Sequence, residues 1–186
     1  MTFLLDFVFP RICPSCENPI FGKNFLLCTE CSEQIELLDP KNRCLKCFNK
    51  SLQRICSQCR KNPSFYHQKA DLFEKIGANQ ALIHAYRGNR EYKIFPIIAA
   101  MLLLQIERLK WQIPDIILIQ ALSCKERLHC KRRPIDHLAH ALSKRIEADV
   151  VTTKKLNKNF TQKVVLALEC KEELPLFPKK YYSLNL

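Results

Sequence analysis

The chain has 186 residues, a formal charge of +12 and 47% apolar residues, which suits one ordinary domain, or a small module joined to a modest one, and excludes two full enzyme domains. This composition also excludes disorder for most of the chain. Glycine occurs only at Gly22, Gly77 and Gly88, so a glycine-built phosphate loop is excluded from the second half.

The opening MTFLLDFVFPRICPSC has no basic residue before its apolar stretch and carries Asp6 within it, a poor secretory signal. The longest apolar run, 94–104, contains Pro96 and leads into Gln105 and Glu107; it falls short of the roughly 18 to 20 residues that a membrane span requires. A cytoplasmic location is expected, where thiols stay reduced.

Eight of eleven cysteines fall in four CxxC pairs: Cys13/Cys16, Cys28/Cys31, Cys44/Cys47 and Cys56/Cys59. A CxxC turn presents two sulfurs to one edge of a tetrahedron, and zinc accepts four thiolates at about 2.3 Å. Two structural zinc sites are expected from these eight residues. Sequential pairing closes the shorter loops, but spacing alone leaves an interleaved arrangement open. Disulfides, redox pairs and metal-free buried cysteines are the competing readings. A redox role would call for a single exposed CxxC on a thioredoxin-like βαβ frame, and these pairs repeat without one. Two ions bound by four thiolates each would lower the net charge from +12 to +8, so the protein stays basic.

Pro63, Ser64 and Phe65 mark the exit from this module, giving expected domains at 1–64 and 65–186. NQALIHAY, with Asn79 as N-cap, predicts a helix broken by the YRGN turn at Gly88. Residues 90–111 predict a second helix, bent or started near Pro96, with Ile98, Leu102 and Ile106 on its apolar face. DIILIQAL at 115–122 has the β-branched, continuously apolar pattern of a strand covered on both faces. Then follows the densest basic cluster, Lys125, Arg127, Lys131, Arg132 and Arg133, opposed only by Glu126. Pro134 opens a helix with Ile135, Leu138, Leu142 and Ile146 at helical spacing, its His137 and His140 expected on the polar flank. DVV at 149–151 and KVVLALE at 163–169 predict strands, and the remainder an irregular tail containing Tyr181 and Tyr182. The expected class is α/β.

The opening LLDFVFPRICPSC, the pairs CTEC, CLKC and CSQC, AYRGN at 85–89, the strand PDIILIQAL and the basic stretch leading to an amphipathic helix resemble the ComF family of competence-associated proteins. The likeness covers roughly residues 1–147. It implies an N-terminal double zinc ribbon followed by a partial phosphoribosyltransferase-like, Rossmann-like α/β domain. Members follow the first strand with a GFNQ-like turn, where this chain has KRRPID at 131–136. Members with an intact site carry an acidic pair and a TTG loop that grip the ribose and 5-phosphate of phosphoribosyl pyrophosphate. Here Glu169 is followed by Cys170 and Lys171 instead. Against that pattern the chain reads as C-terminally truncated or degenerate.

A 5-phosphate site needs several N–H groups converging on one anion, and the reaction needs carboxylates for ribose or magnesium. The expectation is therefore a non-catalytic, zinc-stabilised protein associated with nucleic acid, single-stranded DNA among them, or with DNA-uptake proteins. The alternative is a phosphoribosyltransferase of nucleotide salvage with an atypical phosphate site. Lys125, Arg127, Lys131, Arg132 and Arg133 are the candidate phosphate contacts, with a solvated loop as the competing reading. Phe48, Phe65 and Tyr66 are candidates either for stacking on bases or for covering a small core.

Overall fold

The computed structural model describes residues 11–20, 26–62, 67–88, 93–120, 133–155, 163–168 and 180–186. The front third is a tandem of two short cysteine units. β1 (Arg11–Ile12) and β2 (Pro19–Ile20) form an antiparallel hairpin, and α1 (Thr29–Glu33) closes the first unit. In the second unit an Arg43–Lys50 bridge takes the hairpin's place and α2 (Ser57–Lys61) closes it.

The rest is α/β. β3 (Gln68–Asp71) is followed by α3 (Gly77–Arg87) and α4 (Ile94–Arg108). Next come β4 (Ile116–Ile119), α5 (Pro134–Ile146), β5 (Asp149–Thr152), β6 (Val164–Leu168) and β7 (Lys180–Asn185). The five strands form one parallel sheet in the order β3-β7-β6-β4-β5. Such sheets are buried on both faces, which explains why IILI and VVLAL are apolar without alternation. Asp115 ties three strand starts together: its carboxylate accepts the Val164 N–H at 2.8 Å and its carbonyl the Asp149 N–H at 3.1 Å.

One sheet face carries Ile117, Ile119, Leu166, Leu168, Tyr182 and Leu184 into the main core with α3, α4 and α5. The other gathers Ile116, Leu118, Val165, Ala167 and Tyr181. The expected helical faces are buried at Ile98, Leu102, Ile106, Ile135, Leu138 and Leu142, with Ile146 half-buried against the same core. α4 is bounded at Ile94, and Pro96 sits in its first turn, where its missing N–H has no intrahelical role. At the other end Lys110 takes a left-handed φ of 53° and Trp111 N–H reaches the Ile106 carbonyl at 3.0 Å. This is a Schellman-type stop, made without glycine.

Three expectations are corrected. The segment 180–185 is no irregular tail: it is β7, hydrogen-bonded on both sides, with Tyr182 opposite Gln68 and Leu166. Tyr182 stacks on Trp111 at 4.5 Å between ring centroids. Asn79 is no N-cap: the helix starts at Gly77, and the buried Asn79 amide donates to the Glu36 carbonyl at 3.2 Å. His137 is no flank residue, because its ring stacks on Phe95 at 5.1 Å; His140 is exposed. The strand Gln68–Asp71 was not expected at all, being short and polar at three of its four positions.

The two parts share a core. Leu38 N–H bonds the Leu72 carbonyl at 3.0 Å, and Gln105, fully buried in α4, donates to the Leu38 carbonyl at 2.9 Å. The residues joining the two units are thus strapped onto α3 and α4. Residues 63–66, where the module exit is expected, lie outside the described residues.

Burial of Tyr181, Tyr182 and Leu184 contributes about 1.5 to 3 kcal/mol each, comparable in sum with a domain's whole stability of about 5 to 15 kcal/mol. A chain ending at Pro178 also leaves β3 without its partner strand. Such a chain is expected to lose its cooperative thermal transition in circular dichroism; a retained transition would show that β7 is dispensable.

Candidate metal centres and a cleft at the sheet edge

The sulfurs of Cys13, Cys16, Cys28 and Cys31 all lie within 4.8 Å of one another, and so do those of Cys44, Cys47, Cys56 and Cys59. The pairing is sequential, which decides between the two arrangements that spacing left open. Cys16 and Cys28 sulfurs are 3.6 Å apart, and Cys47 and Cys56 sulfurs 3.8 Å. An ion at about 2.3 Å from four sulfurs sets tetrahedron edges of about 3.8 Å, so the donor set fits a four-thiolate metal ion such as zinc.

The two units repeat the same backbone turn. Cys13 N–H bonds the Asn18 carbonyl at 2.8 Å and Cys44 N–H the Asn49 carbonyl at 2.9 Å. Glu17 and Phe48 N–H groups return to the Cys13 and Cys44 carbonyls, both at 2.9 Å. The Cys13 sulfur accepts from Cys28 N–H at 3.4 Å, and the Cys44 sulfur from Cys56 N–H at 3.3 Å. Cys28 and Cys56 are the N-caps of α1 and α2, their sulfurs accepting from Cys31 and Cys59 N–H at 3.5 Å. The signal for this duplication is CxxC-x-N, present as CPSCEN and CLKCFN.

After each first pair the chain turns through a left-handed residue, Glu17 at φ 63° and Phe48 at φ 64°. Glycine suits such a position best, so its occupant needs a compensating role. Phe48 has one. Its ring is buried in the main core, with the Arg43 guanidinium 5.2 Å above it. Of the two readings for Phe48, core cover holds; Phe65 and Tyr66 lie outside the described residues. The first unit is anchored by Cys13, Ile20, Leu27 and Cys31 against Ala78 and Ala81 of α3.

Backbone geometry splits the thiols electrostatically. Burial acts to raise Cys13, but N–H groups of Cys28, Cys16 and Ser15 outweigh it and bring the thiol down to about 6. Burial and the N–H groups of Cys47, Cys56 and Lys46 do the same at Cys44, also to about 6. At Cys31 the Ser15 side chain pulls down, while burial and the other three thiols push the group up to about 12. Burial and the neighbouring thiols push Cys59 to about 12. An ion binding at either cluster would therefore displace protons.

A second feature lies at the C-terminal edge of the sheet, where β4 continues through α5 to β5 on one side and β6 lies on the other. Open parallel sheets place ligands at such reversals of strand order. A cleft of 320 Å³ is lined there by Tyr86, Arg87, Gln120, Arg133 and Leu168. Arg133 is only 19% exposed and already committed: it pairs with Asp136 at 3.1 Å and donates to the Gln120 carbonyl. Asp136 also accepts the Arg133 N–H at 2.8 Å, capping α5 with the chain's own carboxylate. Lys125, Arg127, Lys131 and Arg132 lie outside the described residues, as do Cys124, Cys130 and Cys170. Tyr86 and Arg87 belong to the YRG turn, and only the fold brings them to the strand ends.

Comparison of the chain with family models, with curated proteins and with solved structures found no match. Among the described residues no helix is long and apolar enough to cross a membrane. No third group of metal-ligating side chains occurs among them either.

Purified protein is expected to carry two metal ions per chain by elemental analysis, one for each cluster. Above about pH 6, Cys13 and Cys44 are already thiolates, and binding displaces protons from the thiols held above their ordinary range, Cys16, Cys31, Cys47 and Cys59. Below it protons also compete for Cys13 and Cys44. Metal affinity measured by chelator competition is therefore expected to fall with falling pH, more steeply below about 6; a flat profile between pH 5 and 8 would contradict this assignment.

Proposed function

We propose that the chain is a ComF-like zinc-binding protein, non-catalytic, that works with nucleic acid in DNA uptake. The observation that carries this reading is the duplicated four-cysteine unit standing ahead of, and packed into, a five-stranded parallel α/β domain. Zinc is the ion that suits all-sulfur tetrahedral sites, and with every position filled by protein sulfur no site remains to activate water. Its role is structural: it holds together units too poor in large apolar side chains to fold alone. The surplus of positive charge, +8 after two zinc–thiolate centres, favours polyanions.

Beyond β6 the chain reads Glu169, Cys170, Lys171 rather than an acidic pair and a TTG loop, and this supports the non-catalytic part of the reading. A second reading, a phosphoribosyltransferase with an atypical phosphate site, draws on the cleft between β4 and β6. Arg133 and the α5 N-terminus speak against it, because Asp136 already satisfies both.

Calorimetric titration with phosphoribosyl pyrophosphate and magnesium is expected to show no binding; saturable micromolar binding would move the conclusion to the enzyme. Gel shifts with single-stranded DNA at rising salt are expected to show binding that weakens as salt increases. Undetectable or salt-insensitive binding would count against the nucleic-acid reading.

A further inference from the structure

The two cysteine units share one backbone plan and carry opposite charge. Between Arg11 and Asp39 the acids Glu17, Glu30, Glu33, Glu36 and Asp39 face only Arg11 and Lys23. Between Asp39 and Asp71 there are eight Lys and Arg and not one Asp or Glu. The near balance of the module as a whole conceals this segregation. Like charges carried on one small unit reinforce one another's potential, and salt screens that potential.

Some of the positive charge is locally engaged. Arg43 lies 3.4 Å and Lys50 3.8 Å from Glu74. Lys41, Arg54, Arg60 and Lys61 are exposed and make no ion pair among the described residues. Among the described residues of the unit the only large exposed apolar side chain is Leu52, 94% accessible, and the aromatic Phe48 is turned into the core. A protein partner's interface is built around an apolar, aromatic centre, which the described residues of this surface do not supply. A nucleic-acid contact is polar and strongly positive, which this surface is.

We propose that the second cysteine unit, through Lys41, Arg54, Arg60 and Lys61, is the surface that contacts the phosphate backbone of nucleic acid. This rests on the nucleic-acid reading above and moves its contact surface from the 125–133 cluster to the metal-held unit. With no exposed aromatic among its described residues, the unit makes no stacking platform, so the contact is independent of base sequence and rests on counterion release.

The test compares two sets of substitutions by fluorescence anisotropy with labelled oligo-thymidine across a salt series. One set is Lys41→Gln, Arg54→Gln, Arg60→Gln and Lys61→Gln. The other is Lys125→Gln, Arg127→Gln, Lys131→Gln and Arg132→Gln. Each lost contact with a single strand flattens the salt slope by about 0.7, so the first set is expected to flatten it by about 2 to 3 and to weaken binding at least about tenfold at low salt. Such a loss supports the proposal whatever the second set does. Unchanged binding by the first set, with loss by the second, overturns the proposed surface and leaves the nucleic-acid reading standing. Failure of the unsubstituted chain to bind overturns both.

If the first set leaves DNA affinity intact but abolishes salt-dependent self-association in sedimentation, the partner is the acidic first unit of a second copy, and the proposal is overturned. Metal content and far-UV spectrum separate charge loss from unfolding. Should the fourfold variant lose metal, Lys41→Gln with Arg54→Gln, neither of them directly beside a cysteine, makes the same test with about half the slope change.

Discussion

Four cysteine sulfurs converging on one point, twice over, is the constraint on which the front of this molecule depends. Sulfurs held within 4.8 Å of one another repel when ionised and gain little when protonated. The arrangement becomes favourable when a cation sits among them, because the ion's attraction for each thiolate exceeds the repulsion between them. The backbone is already shaped for that state: N–H groups point at Cys13 and Cys44, and two helices begin on cysteine sulfurs.

That constraint reaches the α/β domain through a few side chains. Phe48 accepts a left-handed backbone position in order to enter the main core, and Asn79 and Gln105 hold the carbonyls of the strap between the units. Their other amide atoms, Asn79 Oδ1 and Gln105 Oε1, have no partner among the described residues. Buried amides satisfied on one side only are costly in a core, and they persist here where backbone carbonyls of another segment would otherwise be orphaned. The cysteine units are therefore built into the domain's packing rather than tethered beside it.

The functional picture separates positive charge by location. Near the sheet edge Arg133 is neutralised by Asp136 and serves the start of α5. On the second cysteine unit Lys41, Arg54, Arg60 and Lys61 project from a short frame built on four cysteines and make no ion pair among the described residues. Lysine and arginine in equal measure can do quite different work, depending on whether a carboxylate lies within reach.

The eight cysteines that form two groups of four, the α/β class, the apolar faces of α4 and α5 and the strands around 116–119, 149–152 and 164–168 were all legible in the sequence. Each is encoded locally, by CxxC spacing, by helical periodicity or by a β-branched run whose signal needs no distant partner. The order of the sheet was not legible. β7 is a half-polar KYYSLN that becomes an interior strand only because β3 and β6 pair with it from both sides. Nor could spacing choose which cysteine pairs share an ion, bring Tyr86 and Arg87 to the ends of β4 and β6, or show that Phe48 turns inward and Arg133 meets Asp136. Those outcomes rest on contacts between segments far apart along the chain, whose energies exist only once the chain has closed on itself.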